Sequence, residues 1–167
     1  MSRLTGNETT EELEKKAKQQ AMVLLQRMDR TEAELRQKLK EKGYPIQAED
    51  CAVNYVKAYH YIDDERYARH YIERNQKKKG RRLIQIELEK KGIDPLIINK
   101  CMDITEDTEW NAVVELLEKK TKGRLPQNEK EEQRLYAYCI RRGFPFGVVK
   151  SAMQHWNETV EIRQENV

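Results

Sequence analysis

The chain is poor in residues that interrupt helices: its 167 residues hold only 7 glycines and 4 prolines, and aromatic residues make up 7%. With Glu, Lys, Arg, Leu and Gln abundant in their place, that scarcity points to helices nearly throughout. No apolar run approaches the roughly 18 residues that span a bilayer, so no membrane contact is expected. Residues 1–12 lack the basic-then-apolar layout of a signal peptide. Cysteines are few: Cys51, Cys101 and Cys139 lie far apart and lack any CxxC spacing. Each falls on the apolar phase of a predicted helix, which fits three reduced, buried thiols in a cytoplasmic protein.

Catalytic signatures are missing as well. There is no Gly-rich phosphate cradle, no HExxH, no GxSxG and no Cys/His cluster, so neither an enzyme nor a cofactor is expected. Asp63, Asp64 and Glu65 could suggest Mg²⁺, yet acids at the start of a helix are more often caps. His60 and His70 could share a surface, but two imidazoles without a third ligand make a weak metal site, and His155 is isolated.

What the chain does have is charge. Asp, Glu, Lys and Arg make up 37% of the residues against 38% hydrophobic, at a net charge of +3. That leaves too little apolar surface for one large spherical core. Disorder would match the composition but not the regular apolar spacing described next. An extended stack of small helical units accounts for both.

Three segments end alike, in Leu39-Lys-Glu-Lys-Gly43, Leu88-Glu-Lys-Lys-Gly92 and Cys139-Ile-Arg-Arg-Gly143, with the glycines 49 and 51 residues apart. Eight residues before each glycine stand Leu35, Ile84 and Leu135, and four before stand Leu39, Leu88 and Cys139. Five after are Ala48, Ile97 and Val148, and nine after are Ala52, Cys101 and Ala152. One supersecondary unit is therefore used three times. Each unit reads helix, helix, Gly, helix. The first helices bury Ala21 with Leu24-Leu25, Ala68 with Tyr71-Ile72 and Val113 with Leu116-Leu117, at i, i+3, i+4 spacing. The second helices run over 31–42, 81–91 and 129–142, and each ends in cations and a glycine suited to the left-handed C′ position. The third follow closely, at Pro45, Asp94-Pro95 and Pro145.

Thr9 with Glu12, Thr31 with Glu34 and Asn128 with Glu131 form capping-box patterns. Asp63 or Asp64 would cap the helix opening the second repeat, and Thr105 or Asp107 the one opening the third. The segment 122–128 reads as an exposed loop. The expected fold is all-α: three tandem three-helix repeats in an elongated, curved array, over 13–61, 62–104 and 105–158, with an N-terminal tail and helix start at 1–12 and a C-terminal tail at 159–167.

Charge concentrates in the second repeat. Between Arg66 and Lys91 there are ten bases and three acids, a local +7 in a chain whose total is +3. The candidate contacts to DNA or a partner are Arg66, Arg69, Arg74, Lys77, Lys78, Lys79, Arg81 and Arg82, densest at a hinge between two helices. Four or five neutralised phosphates would give a log K against log salt slope of about −4. The blander reading is a solvated face with i, i+4 pairs such as Glu73 with Lys77. Two further basic groups are Arg134, Arg141, Arg142 and Lys150, of which Arg141 and Arg142 read as helix-end cations, and Lys119, Lys120, Lys122 and Arg124. Tyr55, Tyr59, Tyr67 and Tyr71 fall at i+4 spacings that suggest a core seam more than base stacking, with Tyr61 beside them. Trp110 and Trp156 read as packing residues of the third repeat.

The stretch Tyr61-Ile-Asp-Asp-Glu-Arg-Tyr-Ala-Arg-His-Tyr71, then Lys79-Gly80, Ile84, Glu87-Leu88 and Lys91-Gly92-Ile93, resembles the RecX family of recombination regulators. Leu24-Leu25, Arg27, Thr31-Glu32, Glu34-Leu35, Lys38-Leu39 and Gly43 match that family's first repeat. The resemblance spans nearly all of the chain beyond the first dozen residues, and Asp63, Asp64, Arg66, Tyr67 and Ala68 carry its signature. It implies a regulator that binds the RecA–single-stranded-DNA filament, lodges in its groove, and inhibits strand exchange, ATP hydrolysis and filament extension. Weak affinity for bare single-stranded and double-stranded DNA is expected with that role, and the chain is expected to be a monomer. The reading from another class is a helix-turn-helix DNA regulator, against which Thr31, Glu32 and Glu34 stand at the start of the second helix. A scaffold for an unrelated protein is the third.

Overall fold

Helix starts are set by side chains that satisfy the first free N–H groups. Thr9 caps α1 (Thr10–Arg27) and Thr31 caps α2 (Glu32–Glu41), each in a reciprocal box with Glu12 or Glu34. Asn128 accepts from the Glu131 N–H to open α8 (Glu129–Arg141), while the Glu131 carboxylate reaches back to the N–H of Gln127. Thr105, rather than Asp107, caps α7 (Glu106–Thr121). Asp63 accepts from the Arg66 N–H at 3.0 Å and so caps α4 (Asp64–Asn75). Pro45 and Pro145 immediately precede α3 (Ile46–Ala58) and α9 (Phe146–Glu165). Completing the set are α5 (Arg81–Lys90) and α6 (Pro95–Cys101).

The computed structural model describes Gly6 and residues 8–166; residues 1–5 and 7 of the expected N-terminal tail, and 167 of the C-terminal one, lie outside it. Among the described residues there are nine helices and no strand, an all-α fold. None of these helices is long and apolar enough to cross a membrane.

The chain divides into two bodies. The first gathers the described residues up to Arg69 with Leu88–Asn99, and the second takes His70–Glu87 with the chain from Lys100 onward. In the first, α1 packs along α3 and α2 closes the group over Ala17, Ala21, Leu24, Leu35, Leu39, Ala52, Val53 and Val56. In the second, α7 and α8 both pack on α9, around Val113, Leu117, Cys139, Phe144, Met153 and Trp156. The middle three helices are shared out between the bodies, although their apolar residues Ala68, Ile72, Ile84, Leu88 and Ile98 are all buried.

The glycine turns have the expected geometry. Gly43, Gly92 and Gly143 all have φ near the left-handed value, at 86°, 78° and 88°. The residue after each, Tyr44, Ile93 and Phe144, is buried, and its N–H donates to the carbonyl of Leu39, Leu88 or Cys139. This closes a Schellman turn with its apolar contact in all three copies.

Several expectations are corrected. Leu135 and Ile97 are only half-buried, at the edge of the face that Leu35 and Ala48 occupy fully, and Ile98 takes the interior place beside Ile97. Cys101 and Cys139 are buried thiols, but Cys51 is half-exposed with its Sγ 3.5 Å from the Glu14 carboxylate. Burial raises the Cys139 thiol to about 11, against the pull of the Arg142 cation. Trp156 is buried and donates to Glu118, whereas Trp110 is half-buried against His155.

Candidate partner-binding surface

The basic hinge is a short turn whose backbone is held from below. The N–H groups of Lys78 and Lys79 both bond to the Asn75 carbonyl, and Gly80 donates to the Arg142 carbonyl at 2.8 Å. The Arg142 guanidinium returns a bond to the Lys78 carbonyl at 3.2 Å while lying over the Tyr138 ring. A Cβ on Gly80 would fall inside the Gly143 carbonyl, so only glycine permits this approach. The N–H of Arg81 then donates to the buried Glu109 carboxylate at 2.8 Å. A turn pinned at both ends holds its side chains outward.

The eight expected contact residues do not behave alike. Lys77, Lys78 and Arg82 are exposed and make no ion pair with any described residue; the Glu73–Lys77 pair of the blander reading is not formed. Lys79 is held by Glu87 at 2.8 Å and lies over the Tyr71 ring. Burial pulls the Lys79 ammonium down, but the bond to Glu87 and the nearby Tyr71 raise it overall. Arg81 sits 3.7 Å from Glu109, and Arg74 donates back to the His70 carbonyl at 3.2 Å. Arg69 pairs with Glu65 one turn earlier, at 3.0 Å. Arg66 donates to the carbonyls of His60 and Tyr61, so it closes the turn between α3 and α4. Of the other signature positions, Asp63 is the cap and Ala68 is buried. Asp64 accepts from the Glu32 N–H at 2.9 Å, and Tyr67 lies under the Lys91 ammonium.

The tyrosines correct the expected core seam in part: Tyr55, Tyr67 and Tyr71 are half-buried, Tyr55 against the core of the first body, but Tyr59 is exposed. None of Tyr55, Tyr59, Tyr61, Tyr67 and Tyr71 is fully buried. Tyr59 and Tyr61 are 60% and 48% exposed, with their rings stacked at 6.1 Å, and Tyr55 meets Tyr59 at 4.8 Å. His60, between them, takes a left-handed φ of 55°, which glycine would adopt without strain. Spacing of i+4 cannot say on which side of a helix the row falls.

The starts of α2 and α5 are covered. Thr31 donates its hydroxyl to the Lys91 carbonyl at 2.6 Å, and Lys91 pairs with Glu34 at 2.9 Å. Gly80 and Arg81 are engaged as above. A helix-turn-helix reader presents first-turn residues to base edges; here Thr31, Glu34, Gly80 and Arg81 are engaged in internal contacts, and Arg82 stays exposed. Among the described residues no group of three or more acids, histidines or cysteines could hold a metal ion.

Three glycine-ended helix groups, with the start of one second helix seated on the glycine turn of another, define a tandem three-helix-repeat protein. Models of the first, second and third three-helix domains of RecX match residues 17–55, 63–102 and 107–153. The chain is similar to the regulatory protein RecX of Vibrio parahaemolyticus serotype O3:K6, 32% identical over 144 residues that cover 85% of this chain and 92% of the relative. It is 34% identical to that of Caldanaerobacter subterraneus subsp. tengcongensis over 142 residues, 83% of this chain and 70% of the relative. The crystal structure of RecX from Lactobacillus salivarius superposes with a TM-score of 0.74 at 20% identity, covering 87% of this chain and 97% of that one. The chain belongs to the RecX family of regulatory proteins.

Proposed function

We propose that this protein binds the RecA filament on single-stranded DNA and restrains it, lowering strand exchange, ATP hydrolysis and filament extension. Membership of the family across all three repeats carries the reading. The unpaired cations Lys77, Lys78 and Arg82 support a polyanion or an acidic surface as the thing met at the hinge, since the turn that holds them is pinned and their charge is unspent. The other cations near them already have protein partners, which lowers the expected count of neutralised phosphates to three. On bare single strands the slope of log K against log salt then becomes about −2, shallower than the total charge suggests. The protein acts as a monomer in the cytoplasm, where a reducing medium suits three cysteines that form no disulfide among the described residues.

The test is RecA ATP hydrolysis on single-stranded DNA, titrated with this protein at two salt concentrations. Inhibition is expected at substoichiometric protein and should weaken with salt. Combined reversal of Lys77, Lys78 and Arg82 to Glu should weaken binding by about tenfold or more, with the melting temperature moved by no more than about 2 °C, because the side chains are exposed. Hydrolysis and strand exchange unchanged at excess protein would sink the proposal.

A further inference from the structure

Each glycine turn buries one apolar side chain and, two or three residues later, exposes another. Ile46, Leu96 and Phe146 lie in the first turns of α3, α6 and α9 and are 74%, 78% and 63% exposed. They are the three most exposed large hydrophobic side chains among the described residues. Exposed apolar residues scattered singly need no explanation. The three highest values falling in the first turn of the third helix, three or four residues after the glycine of each repeat, do. They do not supply the buried contact of the turns, which Tyr44, Ile93 and Phe144 already provide, and Phe146, although its ring stacks on Tyr136 at 5.8 Å, stays largely in solvent. Nor are they alone in their positions: Lys40, Lys90 and Arg141, in the preceding last turns, are exposed cations that make no ion pair with any described residue.

We propose that Ile46, Leu96 and Phe146 are anchors by which successive repeats grip a repeating protein array, each entering an apolar socket with an acidic rim that recurs on every subunit. This rests on the filament reading and names its contacts. A knob repeated along one chain calls for a socket repeated along its partner. A polynucleotide also repeats, but what repeats outside its bases is phosphate, and its bases select aromatic faces. Two of the three knobs are aliphatic, so the complementary surface is protein. The flanking cations set the charge of the rim.

Ile46→Ser, Leu96→Ser and Phe146→Ser, singly and together in the full chain, test this against RecA filaments assembled on oligo-dT with a slowly hydrolysed ATP analogue. Each single change should weaken filament binding about tenfold and the triple about a hundredfold or more, the scale of losing buried aliphatic contacts. Affinity for bare oligo-dT and the melting temperature should hold. Lys40→Glu, Lys90→Glu and Arg141→Glu together give the same answer through the rim, should the serine triple be less stable. A parent that binds the filament while both triples bind within about twofold of it overturns the anchors and leaves the filament reading intact. A parent that does not bind overturns both. Equal losses on bare oligo-dT, or a self-association of the parent that the serine triple abolishes, would assign the knobs to nucleic acid or to a second copy and also overturn the proposal.

Discussion

At the start of α2 the hydroxyl of Thr31 donates to the Lys91 carbonyl, whereas at the start of α5 the backbone N–H of Gly80 donates to the Arg142 carbonyl. Both residues stand twelve positions before the glycine that ends their own helix, and both acceptors immediately precede a glycine at φ near 80–90°. The next residue repeats the parallel. The Glu32 N–H is taken by Asp64 at the first position of α4, and the Arg81 N–H by Glu109 one turn into α7. One joint is thus built twice from different atoms. The threonine joint keeps a hydroxyl between the two chains and uses a half-buried carboxylate. The glycine joint brings backbone against backbone and buries Glu109 to 1% exposure, with Oε2 making no hydrogen bond and Arg81 3.7 Å away. A side chain can yield by rotating; a carbonyl in a closed turn cannot. The second joint has less freedom, and it is also the one that holds the basic turn.

Gly80→Ala tests that difference most severely. Its Cβ would overlap the Gly143 carbonyl, so we expect a loss of about 3 kcal/mol in urea unfolding followed by circular dichroism, with the Lys77-Lys78 turn released. A loss below about 1 kcal/mol would mean that the joint gives way easily and that the comparison is mistaken. Thr31→Val removes a cap and a cross-joint bond while keeping the shape, and should cost about 2 kcal/mol by the same measurement. Equal losses from the two changes would erase the distinction.

The smallest effect is at Asp64. Burial, foremost, and the nearby Glu32 raise its carboxyl above the ordinary value of 3.8, against the bond from the Glu32 N–H. The folded state therefore binds this proton more tightly than the unfolded one. On this account stability falls as pH rises through the window between 3.8 and the raised value, the reverse of a paired carboxylate. Asp64→Asn keeps an acceptor for Glu32 and should change stability by less than about 0.5 kcal/mol at pH 7. The parent should gain on the variant as the solution is acidified through that window. A parent that loses ground there would show that Asp64 is held as a favourable charge.

Much of this was legible beforehand. The helices, their caps at Thr9, Thr31, Thr105 and Asn128, and the three left-handed glycines follow from local rules that act within a few residues. The apolar stripes located Leu35, Leu39, Ile84, Leu88 and Cys139, all fully buried. The candidate site was half legible. A run of charge marks where cations concentrate, but whether Lys79 meets Glu87, or Arg66 meets the carbonyls of His60 and Tyr61, depends on side chains meeting across a turn. The tyrosine row held only in part for a related reason: periodicity gives a stripe, and only packing says how far each residue of it turns inward.

The sequence by itself determined an all-α chain of three repeated three-helix units, their glycine turns and the place of the excess charge. Those are set by backbone sterics, end satisfaction and apolar period, which need no distant partner. Tertiary structure alone decided which cations remain unpaired, that Thr31 and Gly80 occupy equivalent joints, and that Ile46, Leu96 and Phe146 stand in solvent. Each of these is a question of what lies across a gap, and contacts between residues dozens of positions apart exist only once the helices have packed.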